Sequence, residues 1–145
     1  MTGVRDLVDE AGRELAADMA TEILIIEDEP LIAMDLEALV EGLGHNVIGV
    51  ARTRTEAIKI AGEGKRPGLI LADIQLADGS SGLDAVRDIL AMFEVPVIFI
   101  TSFPERLLTG KRPEPTFLIT KPFQRSTVKA AISQALFFDA ATVPA

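Results

Sequence analysis

The sequence predicts an α/β domain of three layers, a doubly wound parallel sheet between two layers of helices. Two patterns carry the prediction. Short apolar runs, most of them rich in β-branched residues, alternate with longer segments whose apolar residues recur at helical spacing. Glycine, proline, serine and aspartate gather at the junctions between the two kinds of segment. Strand–helix alternation implies right-handed crossovers, and hence a parallel sheet covered on both faces.

The elements follow in chain order. Residues 1–21 stand apart: Val4, Leu7, Val8, Ala11, Leu15 and Met19 share one helical face and charged residues occupy the others, as in an amphipathic linker or leading helix. Ile23-Leu24-Ile25-Ile26 is the first strand and ends in Glu27-Asp28-Glu29, after which Pro30 opens a helix at a first-turn position. Leu31, Ile32, Leu36, Leu39, Val40 and Leu43 give that helix its apolar stripe, and Gly42 or Gly44 stops it. Asn46 to Ala51 is the second strand, and Thr53 or Thr55 caps a helix that reaches Ala61. Leu69 to Asp73, set between Pro67-Gly68 and a Gly/Ser/Asp cluster, is a buried third strand. Ser81 or Gly82 starts the next helix, with Leu83, Val86, Ile89, Leu90 and Phe93 as its apolar residues.

Val95 to Ile100 is the fourth strand, with Pro96 at its entrance and Thr101-Ser102 at its exit. A short helix begins near Pro104 and covers Glu105 to Leu108, and Pro113-Glu114-Pro115 reads as a rigid spacer. Phe117 to Ile119 is the fifth strand, closed by Thr120-Lys121-Pro122; Thr127 to Phe138 is the last helix, and 139–145 a loose tail. Five strands alternating with five helices fit the flavodoxin-like (βα)5 arrangement, with sheet order 2-1-3-4-5.

Composition narrows the functional classes. A chain of 145 residues, 48% hydrophobic and 25% charged, suits one globular domain. The absence of cysteine excludes disulfides, zinc–thiolate sites and thiol catalysis. No apolar run is long enough for a bilayer and no N-terminal stretch reads as a secretory signal, so the expected location is the cytoplasm, with no membrane partner. Nucleic-acid binding needs a basic surface, whereas the net charge here is −8 and the basic stretches are short; direct nucleic-acid binding is not expected. His45, the only histidine, lies in a Gly-His-Asn connection and reads as a solvated turn residue.

In sheets of this kind the chemistry lies beyond the carboxyl ends of the strands, and the first and third strands flank the switch point. The first strand delivers Glu27 and Asp28 there, the third Asp73, the fourth Thr101 and the fifth Lys121. Three carboxylates from adjacent strands repel one another unless a cation joins them, and an all-oxygen set suits Mg²⁺. A cation beside a carboxylate also suits phosphoryl transfer, which needs neutralised phosphoryl oxygens and an in-line nucleophile. Asp73 is the candidate nucleophile, giving an aspartyl-phosphate, with Lys121 and Mg²⁺ clamping the phosphoryl group and Thr101 as a hydroxyl donor free to turn toward it.

This set resembles the receiver domain of two-component response regulators over about residues 22–138. The resemblance is carried by Ile-Ile-Glu-Asp-Glu-Pro at 25–30, Ala-Asp-Ile-Gln-Leu at 72–76, Thr101-Ser102 and Lys121-Pro122-Phe123. It implies that Asp73 accepts a phosphoryl group from a histidine kinase or phosphotransfer protein, in a domain that assists its own phosphorylation and dephosphorylation without being a turnover enzyme. It also implies that Asp28 and Asp73 ligate Mg²⁺ directly, Glu27 mostly through water, and Gln75 through its main-chain carbonyl. The Lys121–Pro122 bond is expected to be cis. Residues 100–110 and 112–123 are similar to the C-terminal receiver of PhyR-type regulators of the bacterial general stress response. In those, phosphorylation frees a sigma-factor-like domain to sequester an anti-sigma factor. Here that domain is absent, which implies either an excised receiver, the favoured interpretation, or a stand-alone regulator acting as a phosphate shuttle or sink. A monomer or weak dimer is expected, with an output face running from Phe103 through the fifth strand to Phe138.

One position departs from the family. Receivers usually carry an aromatic residue three positions before the strand-5 lysine, and here it is Leu118; Phe103 is the nearby aromatic that could take over switching with Thr101. Rival classes fit less well. A haloacid-dehalogenase-like phosphatase or a Toprim-type enzyme needs a second Asp where Asp73-Ile74-Gln75 has glutamine. A flavodoxin-like cofactor carrier needs a glycine-rich phosphate loop where Glu27-Asp28-Glu29 stands. A phosphorylation-independent interaction domain on the same fold remains as the alternative.

Overall fold

Continuous apolar runs become the central strands, buried on both faces as a parallel sheet imposes, while the two edge strands are half-buried. The computed structural model describes residues 20–107 and 117–142. The strands are β1 (Glu22–Ile26), β2 (Asn46–Ala51), β3 (Leu69–Ala72), β4 (Val97–Thr101) and β5 (Phe117–Thr120). All adjacent pairs are parallel, and the order is β2-β1-β3-β4-β5, as the sequence predicts. The helices are α1 (Pro30–Gly42), α2 (Arg54–Gly62), α3 (Gly82–Leu90) and α4 (Arg125–Thr142).

Side chains alternate along each strand and so build two cores. Ile23, Ile25, Leu71, Ile98 and Ile100 face Leu36, Leu39 and Val40 of α1 and Val128 and Ile132 of α4. Leu24, Ile26, Ile70 and Phe99 face Ala57 of α2 and Val86 and Ile89 of α3. The capping signals act as read. Pro30 is the first residue of α1, the Thr53 hydroxyl accepts the Glu56 N–H at 3.2 Å, and the Ser81 hydroxyl accepts those of Leu83 and Asp84 at 3.1 and 3.4 Å. Gly44, at φ +88°, turns the chain from α1 into β2.

Four local expectations change. β4 begins at Val97, because Pro96 has no N–H for the ladder and contributes only its carbonyl, which accepts from Ile70 N–H at 3.1 Å. The segment after Thr101 is a 3₁₀ turn, Pro104–Leu107, in place of an α-helix. α4 starts at Arg125 and continues past Phe138 to Thr142, so the expected tail is helical backbone in its first part; Ala140 and Ala141 favour helix, and the first breaker is Pro144. His45 is half-buried rather than solvated: its Nδ1 accepts the Thr21 N–H at 3.0 Å, and burial lowers its pKa. It ties the α1–β2 turn to the start of β1, at the end of the sheet away from Asp73. The leading segment through Met19 and Pro113-Glu114-Pro115 lie outside the described residues. Among the described residues no helix is long and apolar enough to cross a membrane.

The ladder reaches one residue past the strands. Glu27 N–H donates to Ala51 O, Asp73 N–H to Ile26 O and Lys121 N–H to Thr101 O, each at 2.9 Å. Beyond Asp73 the chain folds tightly under itself: Gly82 N–H donates to Ile74 O at 2.6 Å, and a methyl group on Gly82 would overlap the Asp73 carbonyl oxygen. Gly82→Ala is therefore expected to destabilise the domain by about 1–3 kcal/mol, as overpacked sites do. Urea unfolding measures this, and the largest amide shifts in a folded variant should fall on Asp73 and Ile74.

Candidate functional site

Because β1 and β3 are neighbours and β4 and β5 follow, the residues just past their ends converge. Glu27 is 1% exposed, Asp73 7% and Thr101 0%, while Asp28 is half-buried. Carboxylate oxygens of Glu27, Asp28 and Asp73 lie within 4.8 Å of one another. Lys121 enters from the far side of the sheet, next to the cis Lys121–Pro122 bond. Its ammonium is 2.9 Å from Asp73 Oδ2, 2.9 and 3.1 Å from the two Glu27 oxygens, and 3.5 Å from Glu29 Oε2. The second Asp73 oxygen accepts the Ile74 N–H at 2.7 Å, which fixes the carboxylate's orientation.

Over residues 23–133 the chain matches the response regulator receiver domain. It belongs to that family. The finer resemblance to PhyR receivers holds as well. The chain is 87% identical over 135 residues to the phyllosphere-induced regulator PhyR of Methylorubrum extorquens, covering 93% of this chain and 51% of that protein. The solution structure of the PhyR receiver domain from Erythrobacter litoralis is 65% identical, with a TM-score of 0.79 over 87% of this chain and 95% of that one. A structure of the Bartonella quintana anti-anti-sigma factor PhyR complexed with the anti-sigma factor NepR is 63% identical, with a TM-score of 0.59 over 92% and 54%. The chain thus spans about half the length of the longer relatives.

Within this receiver the acidic cluster has the donor chemistry of a hard divalent cation, all oxygen and largely desolvated, and Glu27, Asp28 and Asp73 could hold one. Burial pushes the Glu27 carboxyl up to about 7, against the opposing pull of its bonds to Lys121. Lys121 is also buried, which disfavours its charge, but its bonds to Asp73 and Glu27 prevail and raise its pKa. The ammonium therefore stays protonated.

The other expected residues are placed less directly. The Thr101 hydroxyl accepts the Phe103 N–H at 3.0 Å, and the Arg106 guanidinium lies 5.2 Å over the Phe103 ring. Gln75 has an exposed side chain, with its main chain bridged to Ser81. Leu118 is half-buried and packs in the core that holds Phe99. Two participants were missed from sequence. Glu29, read only as the lead into α1, stands beside the Lys121 ammonium, and Gly82 seats the backbone of Asp73. Gly82 left a weak signal, a glycine directly after a good N-cap.

A carboxyl with a raised folded pKa contributes stability that is full below its ordinary value and is lost as pH rises through the raised one. For Glu27 that window runs from about 4.5 to about 7. Without divalent cations, Glu27→Gln is expected to gain on wild type in urea midpoint as pH rises across this window. A constant difference would show that Glu27 titrates normally.

Proposed function

We propose that this receiver is a phosphorylation-controlled switch whose phospho-acceptor is Asp73. The supporting observation is a single ammonium, Lys121, bonded to both Asp73 and Glu27 within a three-carboxylate cluster. Asp28 and Asp73 would ligate Mg²⁺ directly, Gln75 through its main-chain carbonyl and Glu27 through water. When bound, the ion would neutralise charge on the phosphoryl oxygens. The donor is the phosphohistidine of a kinase or phosphotransfer protein. An Asp73 oxygen attacks phosphorus in line, the new O–P bond forms as the N–P bond to imidazole breaks, and the imidazole leaves. Lys121 follows the charge, exchanging a carboxylate contact for a phosphoryl oxygen. Hydrolysis of the acyl phosphate resets the switch.

Thr101 supplies the conformational step. Its hydroxyl is committed to the Phe103 N–H, so turning it toward a phosphoryl oxygen gives up that bond and releases the start of the 3₁₀ turn. Phe103 takes the part that Leu118 cannot. The output surface runs from Phe103 across β5 to α4. In a longer parent it would control a sigma-factor-like domain and, through it, an anti-sigma factor in the general stress response. The support for that is the similarity to a PhyR described in complex with an anti-sigma factor.

Incubation with acetyl phosphate and Mg²⁺ should add one phosphoryl group by intact mass, and chelation of Mg²⁺ or Asp73→Asn should abolish the gain. A gain that survives Asp73→Asn refutes the assignment. Thr101→Ala should keep phosphorylation but lose the NMR shifts that beryllofluoride induces across Phe103–Leu107; undiminished shifts would exclude Thr101 as the relay.

A further inference from the structure

Between Asp73 and α3 the chain is irregular, and with the cation site proposed above the Gln75 carbonyl in this loop becomes a ligand. A main-chain ligand on an irregular loop binds well only if the loop is ordered beforehand, since ordering on binding subtracts from affinity. Part of that order is internal, with Ile74 and Leu76 buried beside Gln75 and Gly82 N–H bonded to the Ile74 carbonyl, and part comes from the β2–α2 connection. Ala77 N–H donates to the Arg52 carbonyl at 3.3 Å, and Leu76 N–H to the Ser80 carbonyl at 3.1 Å. Ser80 is the node. Its hydroxyl accepts the Arg54 N–H at 3.1 Å and donates to Asp78, whose carboxylate also accepts the Ser80 N–H at 3.0 Å.

Arg54 holds the structure at both of its ends. Its backbone anchors Ser80, while its guanidinium crosses to the helix that continues from the same loop, with Nε 2.6 Å from Asp88 Oδ2 and Nη1 3.8 Å from Asp84 Oδ2. The loop therefore begins at Asp73, is pinned midway to the start of α2, and ends in a helix tied to that same residue. We propose that Arg54 is a positioning residue for the divalent-cation site, clamping the loop so that the Gln75 carbonyl is presented to the metal. This rests on the site assignment above. The pair is 34–44% exposed, so it contributes little to global stability. Its effect is local, on the order of the carbonyl. Linkage is reciprocal, so occupancy of the cation site tightens the clamp in return.

The test measures Mg²⁺ binding to the unphosphorylated chain, by calorimetry and by the amide shifts of Ile74 to Ala77. Arg54→Ala and Ser80→Ala should each raise the Mg²⁺ Kd by about ten-fold, the scale of lost support behind a metal ligand. Arg54→Lys should keep most of the affinity. The double variant should bind much better than the product of the two losses, because both act on one loop. Arg66→Ala, which removes a guanidinium from over Phe93 at the other end of the sheet, should bind as wild type does. The urea midpoint of Arg54→Ala without Mg²⁺ should be close to wild type. Wild-type affinity in both single variants, or affinity lost in step with Mg²⁺-free stability, would overturn the clamp while leaving the cation site standing. A wild-type chain that binds no Mg²⁺ would overturn the site and the clamp together.

Discussion

The Lys121 ammonium is the constraint on which the rest depends. It bonds Glu27, 94 positions away, and Asp73, 48 positions away, and both carboxylates are buried. A buried charge is tolerated only when paired and hydrogen-bonded, and removing one partner of such a set leaves an uncompensated charge. The pairing of these three requires that β1, β3 and β5 bring their carboxyl ends to one place, as the observed order does. Three carboxylates against one ammonium still leave two negative charges if all are ionised. Burial raises the pKa of Glu27 to about 7, which withdraws part of this charge near neutral pH. A divalent cation would match the two negative charges of the fully ionised set in sign and size.

Asp73 is held from two directions by means that differ in kind. Lys121 and the Ile74 N–H fix its carboxylate, while the ladder bond to Ile26 and the seat on Gly82 fix its backbone. On its N-terminal side lies a strand buried on both faces; on its C-terminal side lies an irregular loop, with Ile74 and Leu76 buried in the core and Gln75, Ala77, Asp78 and Gly79 exposed. In the switch proposed here, the elements that move would include the exposed part of this loop, since moving segments come from the less stable parts of a fold.

Most of the fold was legible because its signals are local. Ile23–Ile26 and Leu69–Ala72 are uninterrupted apolar runs, Pro30, Thr53 and Ser81 mark helix starts by their own chemistry, and strand–helix alternation leaves few topologies. The convergence of Glu27, Asp28, Asp73 and Lys121 was legible for the same reason, since strand ends are read from strand positions. What was missed depends on approach in space. Nothing in the neighbours of Gly82 says that a carbonyl nine residues back will touch it, and nothing near His45 says that Thr21 will donate to it. The 3₁₀ turn after Pro104 and the reach of α4 past Phe138 are end effects, where propensity is weakest as a guide.

Leu118 sharpens the question of how the site speaks to the surface. In register it pairs with Phe99, two residues before Thr101 on the same strand, so it lies on the sheet face toward which Thr101 points. An aromatic side chain there could swing into space left by a turning threonine; a leucine packed against Phe99 fills its place in the core and has no polar atom to follow a hydroxyl. The Thr101 hydroxyl nevertheless has a bonded neighbour that can move, the Phe103 N–H, and Phe103 carries Arg106 on its ring. Any rotation of Thr101 that frees this N–H leaves a backbone donor needing a new acceptor, because an unpaired donor near the core is costly. The short turn Pro104–Leu107 has no buried residue to resist the shift. With leucine at the strand-5 position, the switch proposed for Thr101 would act through the Thr101–Phe103 main-chain hydrogen bond, with the backbone after β4 as the part that moves.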